Sequence, residues 1–578
     1  MRSSKAPWSV SAILPGLLCL LPTLGCSESS GGTSTPSAGA PSAAGASTTA
    51  GATSGSGAGG TVNAGGATGV SGAPGPTGGA SSGGTAGTAG APVSGGGAGT
   101  AAGASNAGAS SGGAGAGASA GGAAGAAGAA GAAGSAACAP PTVSLTGSDA
   151  VVGGKLITFN DNGGWCWYQD ERAVVDTKAK KLVIGSIASG GSRNGNIEAV
   201  VYDLAAGTKI GPTKLGNLSI DDHDAPAFNI RPDGKYVATW ATHRTDCNTY
   251  YSTFDGSAWA AQKTFDWKTQ GCPWDGDDTH KITYNNLWYM ADTLYDVSRS
   301  VGTSPNLLAS TDNGDTWKYF GRMTYTPLTG YVAGYYKYWG NNTDRIDWIG
   351  TEAHPRDADT SLWHGYIKDG KIYNSAGTVV DDAVAGTSAT SSALNVDKYT
   401  QVFKTGSTIG GVKLEHAWNH DVVRYADGTL AVLGQARVSG TGTDDPDKRM
   451  LYFRFDGTTW KGTYLAKAGT KLYADEQDYT GLGALVPDDP TTIYISTPYN
   501  PTTDMMGSSG KREIWRGTTC DNGATFKWTP VTANSTKDNI RPVVPKWDAS
   551  HTALLWMQGK YTSAQSFTEA IVGTITSQ

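Results

Sequence analysis

A short turn sequence occurs twice in this chain and limits the folds that the chain can adopt. The run Ser-Thr-Asp-Asn-Gly-Asp-Thr-Trp at 310–317 returns as Thr-Cys-Asp-Asn-Gly-Ala-Thr-Phe at 519–526. In each copy the first Asp can accept hydrogen bonds within a hairpin turn, the Gly suits a positive φ, and the aromatic ring can pack between sheets. A second pair of segments, 251–259 and 452–460, shares the pattern Tyr-x-x-Phe-Asp-Gly-x-x-Trp. The chain therefore contains repeated hairpins.

Strand signals and tight turns continue through the C-terminal part. Short runs of β-branched and aromatic residues are separated by Asp-Gly dipeptides, which indicate hairpins because both central turn positions require φ > 0. These dipeptides begin at Asp233, Asp255, Asp369, Asp427 and Asp456. Repeated four-stranded units bury their faces only against their neighbours, so we predict an all-β chain closed into a single β-propeller of roughly six to eight blades. A β-sandwich is the alternative.

A change in composition divides the chain. Residues 27–137 are almost wholly Gly, Ala, Ser and Thr, with Glu28 as the single charged residue and no Trp, Tyr or Phe. Such a segment cannot bury enough apolar surface to offset its conformational entropy, so we predict a disordered linker. The β-propeller catalytic domain is predicted at 138–578. The chain has a formal net charge of −6, which argues against a nucleic-acid partner.

Residues 1–26 have the features of an export signal. Arg2 and Lys5 precede an apolar run that is too short to span a bilayer. The run ends in Thr-Leu-Gly-Cys at 23–26, which resembles the cleavage site of a bacterial lipoprotein with Cys26 as the lipidated residue. We therefore expect display on the outer membrane or cell surface, with the lipid anchor as the only contact with the membrane. Ordinary secretion is the alternative.

The cysteines are consistent with an oxidising compartment. Outside the signal and Cys26, the chain contains five, namely Cys138, Cys166, Cys247, Cys272 and Cys520. Cys247 and Cys272 flank one segment, and we predict that they form a disulfide, whereas the other pairings stay open. The spacing of His and Cys does not match a zinc site.

Several longer strings carry a family resemblance. They are 162–173, 221–226, 283–285, 335–338, 351–356 and 538–545. Together with the repeated turn, which matches the Asp-box, they resemble the bacterial neuraminidase-repeat propellers typified by ulvan lyases and related enzymes that cleave rhamnose–glucuronate linkages. The resemblance extends over 155–575. It implies seven blades, an active site at the end of the central channel, and an acidic polysaccharide as substrate.

The same resemblance suggests roles for six residues. It implies that His223 transfers a proton, that Tyr284 is its acid or base partner, and that Arg299 neutralises the substrate carboxylate. His243, Tyr335 and His354 would bind substrate. This set suits β-elimination, in which a base removes the C5 proton of a uronate, an acid protonates the departing C4 oxygen, and a cation neutralises the carboxylate. The reaction requires no cofactor.

Structural roles compete with these assignments. Each histidine could serve a buried hydrogen-bond network, and Tyr284 could belong to the core. Relatives usually carry Arg-Pro before the tyrosine that matches Tyr335, whereas this chain has Ala333-Gly334, so Tyr335, Tyr336 and Tyr338 all remain candidates. A further set is assigned to ring closure and core hydrogen bonds, with sugar stacking open to a Trp, namely Trp165, Trp167, Asp170, Arg172 and Arg541.

One acidic segment suits a metal. Asp275, Asp277 and Asp278 could hold a structural Ca²⁺, which prefers carboxylate oxygens. A solvated acidic loop is the alternative.

Three hypotheses of function follow. The first is a surface-tethered, monomeric polysaccharide lyase that acts on an ulvan-like, uronate-containing glycan. The second is a glycoside hydrolase that acts on a related rhamnose–glucuronate linkage. The third is a glycan-binding propeller without catalytic activity. A sialidase is disfavoured because no convincing arginine triad is found.

Overall fold

The computed structural model describes residues 143–270, 281–324, 334–381 and 394–577. Within these ranges strands predominate, and the helices are 3-10 turns of three residues each. None of the described helices is long and apolar enough to cross a membrane. The predicted signal, the linker, Cys26, Cys272 and the acidic trio Asp275, Asp277 and Asp278 lie outside the described residues, so the predictions for them stay open.

The strands form seven sheets of four or more strands, arranged as blades. Two strands come first, β1 (Ala150–Val151) and β2 (Ile157–Asn160). Blade 1 contains β3 (Ala173–Asp176), β4 (Lys181–Ile187), β5 (Asn196–Asp203) and β6 (Thr208–Asn217). Blade 2 contains β7 (Ala227–Ile230), β8 (Tyr236–Trp240), β9 (Asn248–Phe254) and β10 (Lys263–Asp266). Blade 3 contains β11 (Leu287–Met290), β12 (Thr293–Arg299), β13 (Pro305–Ser310) and β14 (Lys318–Arg322).

The remaining blades follow in chain order. Blade 4 contains β15 (Tyr336–Gly340), β16 (Arg345–Gly350), β17 (Leu362–Lys368), β18 (Lys371–Asn374), β19 (Val379–Asp381) and β20 (Thr400–Phe403). Blade 5 contains β21 (Thr408–Ile409), β22 (Val412–Arg424), β23 (Leu430–Val438), β24 (Lys448–Phe455) and β25 (Trp460–Lys467). Blade 6 contains β26 (Gly483–Leu485), β27 (Thr492–Thr497), β28 (Glu513–Thr518) and β29 (Lys527–Pro530), followed by β30 (Thr532–Ala533). Blade 7 contains β31 (Asp538–Val543), β32 (His551–Ser563) and β33 (Ser566–Ser577). The 3-10 turns are Val152–Gly154, Gly191–Arg193, Asp222–Asp224, Val301–Thr303 and Val396–Lys398.

The ring closes by pairing the two ends of the described chain. Strand β2 is the fourth strand of blade 7 and runs antiparallel to β33, with Ile157 opposite Gly573 and Thr158 opposite Val572. Strand β1 similarly pairs with β30. A ring of blades built by radial repetition leaves only short, protected sheet edges. The prediction of a single all-β propeller is therefore confirmed, and the sandwich alternative is wrong.

The repeated turns have one hydrogen-bond pattern. Ser310 Oγ donates to Asp312 Oδ1 at 2.7 Å, and Thr316 Oγ1 donates to Asp312 Oδ2 at 2.6 Å. In the second copy Thr519 and Thr525 donate to Asp521 at 2.8 and 2.6 Å. The turns join β13 to β14 and β28 to β29. They are structural and contain no chemistry of their own.

The innermost strand of each blade faces the central channel. Neighbouring blades contact each other through these strands, which are β3, β7, β11, β15, β22, β26 and β31. Charged side chains fill part of this channel. Lys337 forms an ion pair with Asp170 and donates from Nζ to the Trp167 carbonyl oxygen at 2.7 Å, and Arg172 lies 3.5 Å from Asp170. These contacts place Asp170 and Arg172 in the structural network predicted for them.

Candidate active site

The structure brings all six predicted residues to one end of the channel. His223, Tyr284 and Tyr335 precede the inner strands β7, β11 and β15. Arg299 ends β12, and the two remaining histidines follow β8 and β16. In an antiparallel pair the start of one strand lies beside the end of the next, so these six positions share one end of the propeller. We call them the histidine cluster, comprising His223, His243, Tyr284, Arg299, Tyr335 and His354.

Two histidines form the core of this cluster. The rings of His223 and His243 are stacked, with centroids 3.8 Å apart and an interplanar angle of 9°. One carboxylate holds both rings, because Asp221 Oδ1 lies 2.5 Å from His223 Nδ1 and Asp221 Oδ2 lies 2.9 Å from His243 Nδ1. Gln565 Nε2 also donates to Asp221, at 2.5 Å. This arrangement directs both Nε2 atoms away from Asp221.

A second carboxylate makes His223 different from His243. Asp222 Oδ1 lies 2.7 Å from His223 Nδ1. Its other oxygen forms an ion pair with Arg541 and accepts a hydrogen bond from the Tyr561 hydroxyl at 2.6 Å. Asp222 and Arg541 are both fully buried. The contacts therefore join the 3-10 turn Asp222–Asp224 to strands β31 and β32 of blade 7.

These contacts separate the proton affinities of the two rings. Burial alone would lower the pKa of His223, but the carboxylates of Asp221 and Asp222 raise it well above its usual value. Burial and the neighbouring cationic His223 lower the pKa of His243, although Asp221 opposes them. Two cations at this ring distance would repel each other. The pair therefore holds one positive charge at neutral pH, on His223.

Tyr284 and Arg299 lie beside the histidine pair. The Tyr284 ring is 5.3 Å from the His223 ring, and the Arg299 guanidinium lies over Tyr284 at 4.7 Å and over Tyr335 at 5.3 Å. Tyr284 has φ of 62°, a left-handed conformation that is uncommon for a tyrosine. Backbone strain of this kind concentrates at functional sites. Arg299 is only 7% exposed, so its charge acts in a medium of low dielectric constant.

Tyr335 joins the cluster, and its two neighbours do not. Its ring lies 4.8 Å from His354 and 5.0 Å from Trp418. By contrast, the Tyr336 hydroxyl accepts from Thr324 at 2.9 Å, and Tyr338 stacks on Tyr336. Tyr336 and Tyr338 therefore pack against each other, and Tyr336 also contacts Thr324 at the end of blade 3.

Local backbone contacts explain how Tyr335 is held. Its N–H donates to Thr351 Oγ1 at 2.9 Å, and its carbonyl accepts from the Thr351 N–H at 3.1 Å. A Cβ at Gly334 would lie 2.1 Å from the Thr351 carbonyl oxygen, so glycine is required there. This close approach accounts for the glycine at position 334.

His354 has a defined neutral form. Its Nδ1 accepts a hydrogen bond from the Arg356 N–H at 3.1 Å, which leaves the ring proton on Nε2. Burial and the neighbouring Arg356 charge lower the pKa of His354 to about 3. At neutral pH the residue is therefore a neutral hydrogen-bond donor.

Sequence reasoning missed four members of this site. They are Tyr168, Asp221, Asp222 and Trp418. The Tyr168 ring lies 5.2 Å from Tyr284 and 5.1 Å from Tyr335, and its hydroxyl donates to Asn419 Oδ1 at 3.0 Å. Trp418 sits at a bulge in β22, 5.4 Å from His354. Asp221 and Asp222 directly precede His223 in the sequence, and this adjacency is the signal that could have identified them as site residues.

Three of the residues assigned to ring closure, Trp165, Trp167 and Arg541, are buried beside the cluster. Trp165 Nε1 donates to the Arg541 carbonyl at 3.3 Å, and Arg541 donates back to the Trp165 carbonyl at 2.5 Å. The Arg541 guanidinium also lies 5.3 Å over Trp167. Trp165 and Trp167 are 0% and 2% exposed, so neither offers a face to a sugar.

Two groups of side chains have the donor atoms for a metal ion. Asp221, His223 and His243 form one, and Cys166, Asp222 and His223 form the other, with donor atoms within 4.8 Å of one another in each. In both groups His223 Nδ1 already makes short contacts with carboxylates. A metal at either place would have to replace these hydrogen bonds.

The cluster thus combines three chemical capacities. A cationic imidazole can donate a proton, a neutral imidazole can accept one, and a buried guanidinium can bind a carboxylate with two parallel hydrogen bonds. The side chain of His243 is 22% exposed and that of His223 only 4%, so His243 marks the solvent side of the pair.

Comparison with known proteins identifies structures of similar fold but no family to which the chain belongs. No family model matches the chain, and no curated protein sequence matches it. Among solved structures, a PL25 ulvan lyase bound to -[GlcA(1-4)Rha3S]- is 14% identical, with a TM-score of 0.53 over 72% of this chain and 95% of that chain. A second structure of a PL25 ulvan lyase is 13% identical, with a TM-score of 0.52 over 72% and 95% of the respective chains. At this identity the likeness shows a shared propeller fold.

Proposed function

We propose that this protein is a polysaccharide lyase that cleaves a uronate-containing glycan by β-elimination. The observation that carries the proposal is the stacked histidine pair on one carboxylate, next to a buried arginine. This arrangement supplies an acid, a base and a cation within one cluster. The likeness in fold to ulvan lyases supports a glycan substrate of the same chemical class, rhamnose–glucuronate.

Arg299 has the role of neutralising the uronate carboxylate. The C5 proton is weakly acidic, and its removal places negative charge on the adjoining carboxylate. A buried guanidinium stabilises that charge more strongly than an exposed one would. Tyr284, under the same guanidinium, donates a hydrogen bond to the carboxylate as charge develops.

The histidine pair performs the proton transfers. His243 donates from Nδ1 to Asp221, so its Nε2 lone pair accepts the C5 proton. The C5–H electrons form the C4=C5 double bond, the C4–O4 bond breaks, and O4 receives a proton from Nε2 of the His223 imidazolium. Proton transfers of this kind typically contribute about 10²–10⁴-fold to the rate. Stacked rings act from one side of the sugar, which favours syn elimination.

We also propose surface display through a lipid on Cys26, with residues 27–137 as the tether. The signal at 1–26 and the composition of the linker support this arrangement. A flexible chain of that length would hold the propeller clear of the membrane.

The test is a panel of uronate polysaccharides incubated with the full-length protein. A lyase produces ultraviolet absorbance from a 4,5-unsaturated uronate, together with new reducing ends. New reducing ends without this absorbance would establish the hydrolase alternative. Retention of the polymer without cleavage would establish the binding alternative. The variant His223→Ala controls for a contaminating lyase, because it should lose the activity while keeping its fold.

A further inference from the structure

A cavity of 670 Å³ opens at the end of the channel away from the histidine cluster. We call it the distal cavity. The inner strands β7, β11 and β15 run from the cluster to this cavity. Tyr284, for example, precedes β11, whereas Tyr289 near its end lines the cavity. Strands of four or five residues span about 13–17 Å at about 3.3 Å per residue, so the two places are distinct.

The channel between them is occupied. Lys337, Asp170 and Trp167 are joined by the ion pair and hydrogen bond described above, and they lie between the two ends. The space beside them measures only 40 Å³, which is room for about one water molecule. A ligand in the distal cavity therefore cannot reach the histidine cluster through the channel.

The distal cavity has the lining of a small-molecule site. Its volume falls within the range of about 300–1,000 Å³ that is usual for such sites. The indole of Trp547 and the ring of Tyr289 contribute aromatic surface, and Val174 and Val175 contribute an apolar wall. Asn313 and Asn342 add amide groups. Aromatic rings beside planar amides suit a ligand that has both apolar faces and hydroxyl groups.

The two amides are held in place by the protein. Tyr289 donates from its hydroxyl to Asn313 Oδ1 at 3.1 Å and from its N–H to Asn342 Oδ1 at 2.9 Å. Asn229 Nδ2 donates to the same Asn342 oxygen at 2.9 Å. Their oxygens are thus occupied, and each NH₂ group is left to donate to a ligand. Polar groups that are already oriented reduce the entropy lost on binding.

The charged groups of the cavity do not form a cationic site, because the lining also includes the acidic residue Asp292. Lys546, the one cation among the described lining residues, forms an ion pair with Asp488 at 2.9 Å. Burial and the neighbouring Asp170 raise the pKa of Glu171 to about 8, so this carboxyl is mostly protonated at neutral pH. A site for phosphate or sulfate would present several uncompensated cations.

We infer that the distal cavity is a second carbohydrate-binding site, which takes neutral sugar residues by stacking on Trp547 and by hydrogen bonds from Asn313 and Asn342. The inference goes beyond the proposed lyase activity and does not require it. If both proposals are correct, one polymer can join two propellers by binding the histidine cluster of one and the distal cavity of the other. Alternatively, two segments of one polymer can bind the two sites of the same propeller. In either case, holding the polymer at one site raises the effective concentration at the other.

The test is native electrophoresis of the full-length protein in gels cast with single polysaccharides, namely ulvan, xylan, mannan and a rhamnan. Two variants address the cavity. Trp547→Ala removes the aromatic platform, and Thr177→Arg places a long side chain in the cavity from an exposed lining position. Thr458→Arg, at an exposed turn of blade 5, is the matched control. Thermal melting establishes that each variant folds.

The expected result is that at least one polysaccharide retards the wild type, Thr458→Arg and Arg299→Ala alike. In the two cavity variants its apparent affinity should fall about tenfold, as expected when a ring-stacking contact is lost. The inference is overturned if both cavity variants migrate like the wild type, if only Arg299→Ala loses retardation, or if no polysaccharide retards the protein. Should Trp547→Ala fail to fold, Thr177→Arg decides.

Lyase activity on a short oligosaccharide separates this inference from the proposed function. The cavity variants should cleave a short substrate at the wild-type rate. Absence of any lyase activity, with retardation intact, would refute the proposed function and leave the distal site standing. Lyase activity without cavity-dependent retardation would refute the distal site and leave the proposed function standing.

Discussion

His223 and His243 stack 3.8 Å apart and share the carboxylate of Asp221, yet only His223 also contacts Asp222. This asymmetry assigns the positive charge to His223 and leaves His243 neutral. A pH profile should therefore show a broad plateau around neutrality. Activity falls at low pH when His243 is protonated, and at high pH when His223 loses its proton.

Replacing Asp221 tests how the pair is positioned. Asp221→Asn keeps the shape of the side chain but removes the charge that raises the pKa of His223. We expect kcat to fall about 10²-fold and the alkaline limb of the pH profile to move to lower pH. A purely structural role would lower activity without moving that limb. Asp233→Asn, at an exposed turn, should leave both unchanged.

Replacing Arg299 tests the neutralisation of the carboxylate. Arg299→Ala should lower kcat/KM about 10²–10³-fold, because the developing charge loses its buried cation. Arg299→Lys should recover part of this loss, since it restores the charge but not the planar fork of the guanidinium. Equal activity of the alanine and lysine variants would contradict the assignment. Lys461→Ala, at an exposed lysine of blade 5, is the control.

Much of this architecture could be predicted from local sequence. Asp-Gly hairpins and the repeated turn predicted the propeller, because turn chemistry depends on neighbouring residues only. The seven blades and the six cluster residues came from the family resemblance. Trp418 could not be found in this way, since its place depends on a bulge in β22 and on packing across blades. The distal cavity could not be predicted either, because its lining residues come from five different blades.

The choice among three tyrosines also required the structure. Which one faces the cluster depends on how the backbone of Tyr335 pairs with Thr351, and that is a long-range contact. We expect Tyr335→Phe to raise KM about tenfold, through loss of a hydrogen bond to substrate. Tyr336→Phe should leave kinetics unchanged and lower stability by about 1 kcal/mol, because Thr324 loses its acceptor. Steady-state kinetics and thermal melts distinguish the two outcomes.

The proposed anchor predicts covalent modification at one residue. Cells supplied with a labelled fatty acid should label the wild-type protein and not Cys26→Ala. The loss of label should be accompanied by release of the protein from the membrane fraction, since the lipid is its only proposed contact. Cys19→Ala, within the signal, is the control and should still be labelled. Equal labelling of wild type and Cys26→Ala would refute the anchor.

A buried carboxyl in blade 7 makes stability depend on pH. Glu569 is 3% exposed, neither oxygen accepts a hydrogen bond from the described residues, and burial raises the pKa of this carboxyl to about 8. The unfolded value is about 4.3, so below that pH the carboxyl is protonated in both the folded and the unfolded chain. Between that pH and about 8 only the unfolded chain releases the proton, so the free energy of unfolding falls by at most about 1.4 kcal/mol per pH unit. Glu569→Gln should therefore melt like the wild type near pH 4 and at a higher temperature at pH 8, whereas exposed Asp444→Asn should show no such divergence.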